Sequence, residues 1–408
     1  MRRAVATAAL AAITAAGLVA LPGAHGASTP SPGDLPCPSV TLASERRSVL
    51  VVTRPGTAIP TALLAQFDAT AYPGVPAIGL HPFAVPPGVA ATFIDAVRVL
   101  PGVLSADYDR VAHAQRTPHD PLLSKQWALT KIRATTAWNT EIGASNAVTV
   151  AVLDTGVDGT HPDLAGRVTS GFDFYDGDTD AMDQQTHGTA VASVIAADTD
   201  NRVGMAGISW RAQIMPVRVL GTDGSGTECT IVAGLVWAAT NGARIANMSF
   251  GAESACTTVM QEAVDYATQV YDTMLVAAVG NAGTKHNPTM EPANCNGVIG
   301  VGATDSRDRI ASFSEHGPQV MLAAPGVRVL AAYRTNQGGH TYAYYDGTSL
   351  AAPIVTGIAA LLMAHYPSWS AAQVLGRLIA TATDLGKKGR DDYYGFGRVD
   401  AAKALTGH

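Results

Sequence analysis

The chain has 408 residues, a formal net charge of −6 and 15% charged residues. That length allows more than one domain and a core of ordinary size. The mild acidity and the lack of a Lys/Arg block argue against a nucleic-acid partner, while few charges and 41 glycines fit a compact enzyme with many tight turns.

Arg2 and Arg3, the apolar run from Ala4 to Leu21, the break at Pro22-Gly23 and the small residues at Ala24-His25-Gly26 read as a signal peptide over 1–26, and so as an exported, extracellular protein. An uncleaved membrane anchor is the alternative, because the run is long enough although rich in Ala and Thr. The later apolar run at Leu361-Leu362-Met363 is too short to span and reads as a buried helix. Residues 27–47, rich in Pro, Ser and Thr, are expected to be a linker. A small α+β module follows over 48–115, with "SVLVVT" as a strand, "ATFIDAVRVLPGV" as a helix running into a turn, and "LSADYDRVAHA" as a second strand. At "RTPHDPLLSKQ" the chain turns exposed and turn-rich, and 116–408 is expected to form the main domain.

From about Ala147 apolar strands alternate with Ala-rich helices. "AVTVAVLDTG", "AQIMPVRVLG", "ARIANMSFG", "TMLVAAVGNAG" and "GVIGVGAT" are nearly unbroken in hydrophobicity, as strands buried on both faces are. "HGTAVASVIAAD", "TIVAGLVWAATNG" and "VMQEAVDYATQVY" read as the helices between them. This predicts an α/β fold, doubly wound, with a mainly parallel sheet covered by helices on both faces. Sites in such sheets form beyond the carboxyl ends of the strands. Asp154, Asn281 and Ser249-Phe250-Gly251 stand at three of those ends, each followed or flanked by glycine.

Ser349, in "YDGTSLAAPIVTGIAALLMAHYP", opens a helix that otherwise suits the core. Alone it reads as a helix cap. Asp154 in "VLDTGVD" and His187 in "QQTHGTAVAS" change that reading, since a serine nucleophile needs an imidazole to take its proton and a carboxylate to orient the imidazole. The helix N-terminus adds a positive dipole and free N–H groups where an oxyanion would develop. Pro353 is expected within the first turn, where a missing N–H is tolerated.

"VLDTGVDGTHPDL", "HGTAVASVIA" and "GTSLAAP" resemble, in order, the Asp, His and Ser motifs of the subtilisin family of serine endopeptidases, over about Asp120 to Leu405. The resemblance implies peptide-bond hydrolysis by Asp154, His187 and Ser349. "VAAVGNAG" is similar to the family's oxyanion segment, which gives Asn281 the oxyanion amide. "NMSFG" and "GTDGSGT" resemble the two strands that bracket an extended peptide. Ser249, Phe250 and Gly251 would then line the pocket for the residue before the scissile bond, and Gly224, Ser225 and Gly226 would pair with residues further upstream. The module at 48–115 resembles the family's inhibitory propeptide, with the mature start near Arg116. Leu350 follows the serine, where many relatives carry Met.

"TPHDP", "HPDL" and "DTDNRVGMAG" resemble parts of the tight calcium site of thermitase-like members. Asp120, Asp163 and Asn201 would offer side chains, and Asp198, Val203 and Met205 backbone carbonyls. In "DFYDGDTDAMD" the residues Asp173, Asp176, Asp178 and Asp180 crowd a loop that would repel itself without a cation, and it resembles a second, weaker calcium loop. Met182 departs from the amide expected there, and an unliganded loop stays open. Four cysteines in an exported chain invite disulfides, and sequence alone leaves three pairings. The resemblance pairs Cys256 with Cys295 and leaves Cys37 and Cys229 free or joined in the precursor. The expected partners are protein or peptide substrates and the chain's own propeptide, with no stable membrane association and a monomeric state. A broad degradative role is expected over dedicated processing of a few targets, since no C-terminal membrane helix or long surface insertion is visible before His408.

Overall fold

The computed structural model describes Cys37 and residues 46–109, 116–335 and 337–407. The expected signal peptide, most of the linker and the last residues of the 48–115 module lie outside the described residues. The chain divides into two compact units, Met1–Ala112 and His113–His408.

The first unit contains β1 (Arg47–Thr53), α1 (Thr61–Gln66), β2 (Thr70–Ala71), β3 (Leu80–Val85), α2 (Ala90–Arg98) and β4 (Val103–Tyr108). Its sheet runs β2-β3-β1-β4, with every neighbouring pair antiparallel. Phe93, Ile94 and Val97 on one stripe of α2 are buried with Val49, Val51 and Phe83 of the sheet. Two strands were expected and four are present. The reading missed β2 because it is two residues long, and β3 because His81 and Pro82 interrupt its apolar pattern. Pro82 is tolerated within the ladder because its carbonyl still accepts the Tyr72 N–H.

The second unit opens with α3 (Trp127–Lys131), α4 (Ala134–Ala137), β5 (Thr149–Asp154), β6 (Phe172–Asp173), α5 (His187–Ala196), β7 (Gln213–Arg218) and α6 (Glu228–Thr240). It continues through β8 (Ile245–Met248), β9 (Ala252–Glu253), α7 (Thr258–Asp265), β10 (Met274–Ala278), β11 (Met290–Glu291), β12 (Val298–Thr304) and β13 (Val320–Pro325). The hairpin β14 (Val329–Arg334) and β15 (His340–Tyr345) precedes α8 (Thr348–His365), α9 (Ala371–Thr381) and α10 (Ala401–Thr406).

Seven strands form one sheet in the order β13-β12-β10-β8-β5-β7-β6, parallel throughout. All residues of β8, β10 and β12 are buried, which explains their nearly continuous apolar sequences. The strand β5 shows how the two faces are divided. Val150 and Val152 enter the core shared with α5 and α8, while Ala151 and Leu153 enter the core shared with α6 and α7. The fold is the doubly wound α/β sandwich that the alternation predicts. The strand β13 and the hairpin β14–β15 were not anticipated. The first does carry an apolar run, VMLAA, which the reading passed over, whereas β15 of the hairpin has no buried residue and so carries no continuous apolar signal. The helix α8 is long and apolar enough to cross a membrane, yet 89% of that window is buried in this unit, as expected for a core helix.

Candidate active site

Asp154 is the last residue of β5 and is fully buried. His187 is the first residue of α5. The loop before it wraps around a buried carboxylate, Asp183, whose Oδ1 accepts the N–H groups of Gln185 and Thr186 and whose Oδ2 accepts the N–H and hydroxyl of Thr189. Thr155 donates its hydroxyl to Asp183 and accepts the Gly188 N–H, which ties this loop to the end of β5. A Cβ at Gly188 would lie 2.0 Å from the Gly156 carbonyl oxygen and 3.0 Å from the Asp154 Cβ, so only glycine lets α5 start this close to the strand. His187 Nδ1 and Asp154 Oδ1 are consequently 2.7 Å apart, and the same oxygen accepts the Thr155 N–H. Burial works to lower the imidazole's pKa, but the charge and hydrogen bond of Asp154, with help from Asp183, outweigh it and hold His187 above its ordinary value.

Ser349 is the second residue of α8, which packs beside α5 on one face of the sheet. Its hydroxyl donates to the Ser249 carbonyl at 2.9 Å, and the Ser249 hydroxyl donates back to the Ser349 carbonyl at 2.9 Å. The second bond corrects the expectation for Pro353. That residue is six positions into the helix rather than in its first turn, and the N–H it lacks is the one that would bond Ser349 C=O. Ser249 supplies the missing donor. In this arrangement the Ser349 hydroxyl points at a carbonyl, and it would have to turn away from that bond before it could act as a nucleophile.

Asn281 follows β10. Its Oδ1 accepts both the N–H and the hydroxyl of Thr348, at 2.9 and 3.0 Å, which fixes the amide with Nδ2 as its free end. The point that a Cβ on Gly347 would occupy is 3.6 Å from Asn281 Nδ2 and 3.6 Å from Ser349 N, beside the Ser349 Cβ at 3.8 Å. Two N–H donors therefore flank one small space next to the nucleophile, and Gly347 leaves that space open. Buried Glu315 holds the loop from behind, accepting the Ala282 N–H and donating its own N–H to the Gly280 carbonyl.

The two segments expected to bracket a peptide border one cavity of about 290 Å³, lined by Gly224, Ser225 and Gly226 on one side and Phe250 and Gly251 on the other. Ser249 sits one residue before that wall, bonded to Ser349. The Ser225 carbonyl accepts the Gly221 N–H and so is spent within its own turn. Among the described hydrogen bonds, the Gly224 carbonyl and both backbone groups of Gly226 are not taken, so these are the groups left to pair with an added strand.

The subtilase family profile matches residues 145–397, more than half of the chain. The chain belongs to the subtilase family. It is 37% identical over 344 residues to the thermophilic serine proteinase of Bacillus sp. (strain AK1), covering 84% of this chain and 82% of that protein. It is 39% identical over 290 residues to thermitase of Thermoactinomyces vulgaris, covering 71% of this chain and 99% of that one. Among solved structures, a protease from Pseudoalteromonas arctica PAMC 21717 aligns with a TM-score of 0.66 and 32% identity, over 72% of this chain and 99% of its own. This subtilase is a serine-type endopeptidase, a hydrolase acting on protein substrates.

Away from the serine, Asp120 and Asp163 are buried close enough for each to feel the other's charge. Burial pushes both carboxyls above their usual range against the pull of the N–H groups that Asp200, Asn201 and Met205 donate to them. Among the described residues neither has a cationic side chain as partner. Asn201 offers Nδ2 to Asp163, and its Oδ1 accepts the Val203 N–H. Asp198 sends its carboxylate to Arg167 and Arg211, which leaves its backbone for this site. Two buried carboxylates, an amide and nearby carbonyls make a donor set suited to a hard divalent cation.

The second acidic loop is organised differently from its expected form. The cation it needs is Arg218, at the end of β7, buried and paired with both Asp173 and Asp176. Asp178 and Asp180 cap the N–H groups of Asp180 and Met182 within the turn. Among the described residues these four carboxylates do not converge as a group of three. Nothing in the local sequence shows this, because Arg218 comes from a strand 38 residues beyond Asp180. Cys256 and Cys295 are joined by a disulfide, and Cys37 and Cys229 are free thiols. Asp183 and Glu315 were missed as supports, since each reads in sequence as an ordinary loop acid. Their signal was position, within five residues of His187 and beside "SFS" respectively, and that alone is weak.

Proposed function

We propose that this subtilase is an exported, calcium-stabilised endopeptidase. It cleaves extended segments of proteins through an acyl-Ser349 intermediate and releases its own 48–115 module. The observation that carries the reading is the start of α8, where Ser349 is bonded to Ser249 just beyond the carboxyl end of β8, beside the end of β5 that bears Asp154 and its partner His187, with Asn281 Nδ2 near its own N–H. Ser349 Oγ attacks the substrate carbonyl carbon and its proton passes to the free nitrogen of His187. Asp154 stabilises the imidazolium so formed. The carbonyl oxygen, now negative, enters the space between Ser349 N and Asn281 Nδ2. His187 returns the proton to the leaving amine, and water then repeats the sequence to free Ser349.

Asp120 and Asp163, with Asn201 and the carbonyls of Asp198, Val203 and Met205, would hold a calcium ion, which would supply the positive charge that this buried pair lacks. Export rests on the N-terminal run from Arg2 to Gly26, and self-processing on the compact α+β build of the first unit. The test is expression of the full chain and of Ser349→Ala, purified without other proteases. Wild type should hydrolyse protein and shorten at its N-terminus near Arg116, while Ser349→Ala should do neither. A variant that still matures and still hydrolyses protein would overturn the assignment.

A further inference from the structure

The cavity between the two substrate-binding segments is not simply apolar. Leu220, Ile231, Phe250 and Met260 form aliphatic and aromatic walls, and two carboxylates, Glu228 and Glu291, line it with them. Glu228 is the first residue of α6, and Glu291 ends β11. Both carboxylates meet at Thr257. Glu228 Oε1 accepts the Thr257 hydroxyl, and Glu291 Oε1 accepts the Thr257 N–H at 2.7 Å. One oxygen of each carboxylate is used in this way. No described donor reaches the other, and no described Lys, Arg or His pairs with either group. Glu291 is 6% exposed, and its Oε2 is not among the sealed polar atoms. A nearly buried carboxylate with one unbonded oxygen on a cavity wall favours a cation there. The Cys256–Cys295 disulfide joins the segment that carries Thr257 to the one that carries Glu291, and both sulfurs lie within 4.8 Å of a Glu291 oxygen, so the pair is held on a braced frame.

We propose that this cavity is a subsite for a cationic substrate side chain, Arg or Lys, at a position on the acyl side of the scissile bond, with Glu228 and Glu291 as its specificity determinants. The inference rests on the peptidase reading above and deepens it. The chemistry of the walls matches such a side chain along its length. The aliphatic stem packs on Leu220, Ile231, Phe250 and Met260, and the charged head reaches the free carboxylate oxygens. The acyl side follows from the peptidase reading, in which the Gly224–Gly226 and Phe250–Gly251 segments hold the residues before the scissile bond, and both segments line this cavity.

The experiment uses internally quenched peptides in which each acyl-side position is varied in turn through Arg, Lys, norleucine and Glu, cleaved by the mature enzyme at low salt. At one position Arg or Lys should exceed norleucine in kcat/KM by about ten- to a hundredfold, the range a charge-assisted hydrogen bond supplies. Glu228→Gln should bring that ratio towards one, and Glu291→Gln should do the same. The ratio is taken within a single variant, so a partly folded preparation does not alter it. A ratio near one at every acyl-side position in wild type, or a ratio that neither variant changes, overturns the subsite. Loss of all Ser349-dependent cleavage would instead overturn the peptidase reading, an outcome distinct from cleavage without a preference for cations.

Discussion

At His187 one oxygen of Asp154 sets the proton affinity of the base. In the proposed mechanism His187 acts as neutral imidazole, so kcat/KM should rise with pH through the pKa of the free enzyme. Because Asp154 holds that pKa above the ordinary imidazole value of 6.5, the acid limb of the profile should have its midpoint above 6.5. Asp154→Asn removes the negative charge and leaves the burial, which acts in the opposite direction. The imidazole midpoint should then move down, measured by NMR titration of the ring in a Ser349→Ala background, and turnover should fall by on the order of 10⁴ in the active background. A midpoint that stays in place in Asp154→Asn would mean that another group sets it. Asp183 is the nearest alternative and contributes in the same direction.

Among the elements, α8 shows how a helix can carry a nucleophile at its mouth and still serve as the core. Sixteen of its 18 residues are buried, and Pro353 interrupts its ladder at the one carbonyl that Ser249 covers from outside. Ser249→Ala should cost about 1–3 kcal/mol, since it leaves the Ser349 carbonyl without a donor and the buried Asn247 Nδ2 without its acceptor. Pro353→Ala restores a backbone N–H at the right place, so it should recover part of the loss. A double-mutant cycle followed by guanidinium denaturation in a Ser349→Ala background should give a coupling of about 0.5 kcal/mol or more, and strict additivity would remove the idea. The Ser249–Pro353 relation could not be read in sequence, because it joins residues about a hundred positions apart. The parallel core was legible, since β5, β8, β10 and β12 are buried on both faces and their sequences are apolar at nearly every position. The three catalytic motifs were legible for a similar reason, each being a short segment at a strand or helix end. What stayed hidden were partners supplied from elsewhere, such as Arg218 for the acidic loop and Thr257 for two glutamates. Of the missed strands, β2 is two residues long, His81 and Pro82 break the pattern of β3, and β15 has no buried residue, so partial exposure erases its apolar pattern.

Across the second unit, stability depends on how distant segments are pinned. Asp120 lies near the start of this unit, Asp163 follows β5, and 198–205 follow α5. Leu122 N–H bonds the Gly204 carbonyl, and the Asp120 carboxylate accepts the N–H groups of Asp200 and Asn201. One buried cluster therefore clamps the leading segment onto the body of the domain. Its weakness is the like charge of Asp120 and Asp163, which no described cationic side chain offsets. A calcium ion bound there stabilises only the folded chain, and at about 100 times its dissociation constant it adds about 2.7 kcal/mol. For a domain of this size that corresponds to a rise in Tm of roughly 4 °C. The measurement is Tm of the Ser349→Ala protein in calcium and in chelator, which separates unfolding from self-digestion. The inactive background should show the full shift, and Asp163→Asn should abolish its calcium dependence. Replacing Asp178, whose carboxylate only caps a turn, should leave that dependence in place. Equal Tm values in calcium and chelator would show that hydrogen bonding alone closes the clamp, and that the buried pair is tolerated by protonation rather than by a metal.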